Sequence, residues 1–160
     1  MWPALFAWGA GLIHIAVAAG APPAVLVPMV ALGVAELAWG VATLRIGRMP
    51  LVRTTLAVGV LAVLAGLVLA LFDLMAWIPL VSTSVMLVAI AGAAAVTIRR
   101  RARGSAAETS VRSSVPAGRT LIGVLVGALL VSALTTPALA QTKAGDYAVP
   151  HGEMTGQHGH

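Results

Sequence analysis

Residues Thr54–Phe72 read "TTLAVGVLAVLAGLVLALF", nineteen positions with no charge, no proline and no polar group beyond the two opening threonines. A helix rises about 1.5 Å per residue and a bilayer core is about 30 Å thick, so a run of this length can cross one. It lacks the apolar–polar alternation of a strand in a membrane barrel. Four further runs read the same way: Trp2–Ala19, Ala24–Leu44, Pro79–Ile98 and Thr120–Thr136. The whole chain agrees with its parts. Its 160 residues are 59% hydrophobic and 9% charged, whereas a soluble domain carries roughly a quarter charged residues. The expectation is an all-α, polytopic integral membrane protein of about five transmembrane helices. Two hairpins fill 1–98, a basic linker fills 99–119, a fifth helix fills 120–140, and a flexible extracytoplasmic tail fills 141–160.

The net charge of +5 could suggest nucleic acid, but the positions of the charges exclude it. Arg45, Arg48 and Arg53 lie between the second and third runs. Arg99, Arg100, Arg101, Arg103, Arg112 and Arg119 lie between the fourth and fifth, leaving only Lys143 elsewhere. Basic residues flanking apolar spans mark the cytoplasmic side and favour anionic lipid. Five spans put both arginine loops on that side. The N-terminus is then cytoplasmic and the C-terminal tail extracytoplasmic. The Ala-, Arg-, Val- and Gly-rich composition suggests a bacterial plasma membrane.

The segment "RRRARGSAAETSVRSSVPAG" from Arg99 lacks apolar periodicity and reads as a flexible linker. From Arg112 onward the chain resembles an export signal: basic Arg112 and Arg119, an apolar run, then "TTPALAQ", where Pro137 would end the helix and Ala138-Leu139-Ala140 offers a small-x-small site. Because the signal is internal and alanine abundant, the expectation is an uncleaved anchor rather than cleavage after Ala140.

The tail closes on "HGEMTGQHGH". It offers His151, Met154, His158 and His160, with Glu153 beside them and glycines that leave the backbone free to fold. Imidazole suits copper, zinc and nickel, and a thioether adds preference for Cu(I). With no cysteine in the chain, thiolate zinc sites are excluded. The same residues also suit a solvated polar tail that binds nothing.

Two ionisable residues fall inside apolar runs, where they are costly and usually face the protein interior. His14 shares a helical face with Ala10, Gly11, Val17 and Ala18. Glu36 shares one with Met29, Gly33, Trp39 and Gly40. Small residues on both faces permit close helix contact. A lone membrane histidine is more commonly satisfied by a carbonyl or hydroxyl, yet Glu36 is the obvious partner across the turn at Pro22-Pro23. Depth opposes the contact: His14 lies eight residues before Pro22 and Glu36 thirteen after Pro23, a mismatch of about 7 Å. A second helix opening at Pro28 would remove it.

Asp73 and Trp77 read as the outer interface, Trp77 as an anchor and Asp73 as a hydrated helix end that could add a carboxylate to a tail metal site. Gly123-x3-Gly127 on the fifth run is a weak close-packing motif. No phosphate loop, dinucleotide turn or nucleophile triad is present, so no enzyme is expected. The single intramembrane histidine excludes a bis-His haem within one chain. The function expected first is non-enzymatic: an exported His/Met tail that binds or delivers a transition metal, foremost copper. A structural or assembly subunit of a larger membrane complex, or a homo-oligomer, comes next. A small proton-coupled transporter using His14 and Glu36 comes third.

Overall fold

The structure is a computed structural model that describes residues 2–103 and 117–147. Those residues form five helices and no strand: α1 (Trp2–Ala18), α2 (Pro23–Ile46), α3 (Val52–Leu71), α4 (Trp77–Arg103) and α5 (Ala117–Ala140). A short 3-10 turn, Gly145–Tyr147, comes after them. By length and composition α2, α3, α4 and α5 can each cross a membrane, while α1 is apolar but only 17 residues long.

α1 is the hub. It packs against α2, α4 and α5; α4 packs against α5 and α3. α2 and α3 are consecutive in sequence yet barely touch, so they stand as two walls over a floor of α1 and α4. Residues 20–22, 73–76 and 141–143 gather at one end of the bundle, where they line a common basin. At the other end, Thr97 of α4 reaches Met49 in the α2–α3 loop (3.9 Å), so the arginines at the ends of α2 and α4 share that end.

The α1–α2 hairpin is close because glycines face each other across it. A Cβ on Gly11 would sit 2.8 Å from the Gly33 carbonyl oxygen, and one on Gly33 would sit 2.7 Å from that of Gly11. The Trp8 indole N–H donates to the Leu37 carbonyl at 3.2 Å, clamping the same pair of helices. α5 joins through Gly127, which meets Leu5 and Trp2 of α1, and through Val131 against Gly9. Gly123 faces open space, so only one half of the Gly123/Gly127 motif packs.

Several boundaries differ from the expectation, each for a physical reason. α2 opens at Pro23, not Pro28, because Pro22-Pro23 already supplies a first-turn proline whose missing N–H costs nothing there. Pro28 lies inside the helix. α4 runs past Ile98 to Arg103: arginine is a good helix former, and Arg100, Arg101 and Arg103 suit the negative end of the dipole. α5 begins at Ala117 and continues through Pro137 to Ala140. Pro137 does not end the helix; in an apolar setting the single lost hydrogen bond is tolerated. Ala138, the expected start of a cleavage triplet, is fully buried on a helix. The remainder of the expected linker, 104–116, lies outside the described residues.

Candidate functional site

His14 is 2% exposed and Glu36 8% exposed, and the structure brings them together. The His14 Nδ1–Glu36 Oε2 distance is 2.8 Å. One proton occupies that line: either the imidazole N–H donates to the carboxylate, or a carboxylic acid O–H donates to the imidazole nitrogen.

The pair forms without the helix start at Pro28 that would have matched the two depths. Side chains lean toward the N-terminus of their own helix, and α1 and α2 run in opposite directions. Gly11 faces Gly33, so the Cα of Glu36 lies beyond that of His14 along the hairpin. The two side chains therefore lean toward each other and close the gap. Residue counting from the turn measures Cα depth and misses this convergence.

Glu36 Oε1 is buried and has no hydrogen-bond partner among the described residues. Glu36 also lines the groove between the α2 and α3 walls, a cavity of about 160 Å³ floored by Ala7 of α1 and by Leu87 and Ile90 of α4. Trp39 and Leu32 stand on the α2 wall; Val58, Thr54 and Thr55 stand on the α3 wall. Two hydrogen bonds brace one end of the groove: the Trp39 indole N–H and the Thr55 hydroxyl each donate to the Pro50 carbonyl at 3.3 Å. Sequence reading placed Trp39 on the Glu36 face but did not foresee the groove or its threonines. Their juxtaposition depends on α2 and α3 splaying apart, and no local pattern signals that.

Asp73 lines the basin at the opposite end of α3, together with Lys143, Val17 and Pro79. Its backbone is left-handed, with φ of 56°. The N–H of Leu74 bonds the Leu69 carbonyl (2.9 Å) and that of Asp73 bonds the Ala70 carbonyl (3.2 Å). This pairing closes the C-terminus of α3 in a Schellman motif, so the residue has a defined backbone role. Trp77 opens α4 at the same end and is 67% exposed. The expected tail ligands His151, Glu153, Met154, His158 and His160 lie outside the described residues. Among the described residues no three His, Asp or Glu side chains form a metal-holding group.

Comparison with protein-family models, curated proteins and solved structures finds no match. The function is read from these residues alone.

Proposed function

We propose that the chain is a five-span membrane protein that acts as a small proton-coupled carrier, with His14 and Glu36 as its proton-handling pair. The single observation behind this reading is the buried 2.8 Å contact whose carboxylate keeps a second oxygen without a partner. A buried carboxylate oxygen left unpaired is costly. A group that must change its protonation or its partner during a cycle has reason to leave one open. In this reading the arginine-bearing end faces the cytoplasm, the N-terminus lies there, and the basin opens outside a bacterial plasma membrane. The protein catalyses no covalent chemistry.

Infrared difference spectroscopy of the protein in lipid, recorded through acidification, tests this. A carboxylic-acid carbonyl band should rise and shift in heavy water. It should vanish in Glu36→Gln and change frequency in His14→Gln. A spectrum without a Glu36 band, over the whole range in which the protein stays folded, ends the proposal.

A second reading keeps the His/Met tail as a metal-binding segment, foremost for copper, that receives or delivers the ion outside. It is favoured by the position of Gln141 and Lys143, which lead into the tail from the same basin as Asp73. Native mass spectrometry with Cu(I) should then show copper uptake by the full chain and none after deletion of 148–160. Equal uptake by both forms removes the tail as ligand.

A further inference from the structure

We propose that the groove between α2 and α3 takes a lipophilic ammonium ion about one aromatic ring in size, with Glu36 as its counter-ion and with entry coupled to proton release. The inference rests on the proton-handling reading of His14 and Glu36 and names the substrate class of that site. Size comes first. The cavity of about 160 Å³ is comparable to an engineered apolar cavity of about 150 Å³ that stays dry and accepts benzene. Its lining is hydrocarbon and indole, apart from Glu36 and the two threonines, so it favours an apolar body over a hydrated ion. An aromatic wall residue, Trp39, adds attraction for a cation.

Charge complementarity fixes the rest. Holding two protons, the pair is neutral, written either as carboxylic acid and imidazole or as carboxylate and imidazolium. When one proton leaves from Nε2, Nδ1–H still donates to Oε2, and one net negative charge remains beside the groove. Oε1, which has no hydrogen-bond partner among the described residues, is the acceptor left for an ammonium N–H. Glu36 lines the cavity, and binding requires its carboxylate to turn toward it. Starting from the neutral pair, one proton leaves for each ammonium that binds, and the incoming cation restores neutrality. A neutral ligand of the same shape fills the groove and releases no proton. Lipid chains are the competing occupant, and they too would be indifferent to Glu36.

Benzylammonium and its neutral counterpart benzyl alcohol are the probes, added to the full chain in lipid nanodiscs and followed by tryptophan fluorescence. Trp39→Phe identifies the reporting indole. Benzylammonium should bind at least about tenfold more tightly than benzyl alcohol, as charge-assisted hydrogen bonding implies, and release one proton into weakly buffered solution. Glu36→Gln should erase that preference. Val58→Phe, on the α3 wall and 43% exposed, places a ring in the groove and should weaken both probes. Equal binding of the two probes, no binding of either, or a preference that survives Glu36→Gln overturns the proposal. If the infrared band of Glu36 is present in the same sample, such a result removes the ammonium ligand and leaves proton handling standing. If the band is absent, proton handling itself has failed.

Discussion

At the scale of the residue, His14 and Glu36 are each other's explanation. Removing one member of a buried ionic pair strands the other and costs about 3–5 kcal/mol, whereas replacing both with apolar residues is often nearly neutral. His14→Leu and Glu36→Leu should each lower the midpoint of thermal unfolding in detergent. The double variant should recover most of the loss while losing the infrared carboxyl signal. Additive effects of the two changes would show that the contact is not energetically coupled. Both residues could be picked out in the sequence, because a charge amid apolar residues is conspicuous. Their pairing was foreshadowed through Pro28, but it arises from opposed side-chain lean across a glycine-lined hairpin. The role of Asp73 could not be read at all, since a left-handed φ at a helix end leaves no mark when the residue is not glycine. A left-handed conformation costs a non-glycine residue roughly 1 kcal/mol. Asp73→Gly should therefore stabilise the protein by up to that amount, and a drop in melting temperature would instead assign the carboxylate a contact worth more than the strain.

At the scale of the element, two kinds of glycine separate cleanly. Gly33 lies against the Gly11 carbonyl, with no room for a methyl group, while Gly92 has nothing within 4 Å. Gly33→Ala should push α1 and α2 apart and cost about 1–3 kcal/mol through overpacking. Gly92→Ala should gain up to about 1 kcal/mol of helix propensity. Parallel unfolding curves for the two variants decide the matter; equal shifts would mean the hairpin is looser than its geometry. The five helices themselves were legible from apolar run length alone. Their ends were less so, because Arg99–Arg103 and Pro137 carry signals for a stop that helix propensity, dipole and an apolar setting override. Which helices would touch was not legible, since Ala, Gly and Val line nearly every face of this chain and hydrophobic periodicity is correspondingly flat.

At the scale of the whole molecule, the bundle sorts its charges by end. Arg45, Arg48, Arg53 and the arginines of α4 stand at one end, and Lys143 and Asp73 at the other. On the membrane reading, an alkaline phosphatase reporter joined after Tyr147 should be active and one joined after Gly47 inactive; the reverse pattern would invert the orientation. The groove and the basin both emerge only when α1 serves as hub, a property of the assembled bundle that no single segment encodes. On the proton-carrier reading, with α1 crossing the membrane, the brevity of α1 has an electrical meaning. It ends at Ala18, and the polar basin reaches down to Val17, three residues or about 4.5 Å from His14 along the helix. A membrane voltage falls mainly across insulating thickness, so little of it drops between the basin and His14 and most drops between His14 and the arginine-bearing end. One elementary charge crossing the full thickness gains about 2.3 kcal/mol per 100 mV. Proton exchange from the basin should thus be nearly insensitive to voltage, while release toward the arginines should steepen with it. Proteoliposomes clamped with potassium gradients of opposite sign would read that asymmetry directly, and equal voltage dependence from both sides would place His14 at the electrical centre instead.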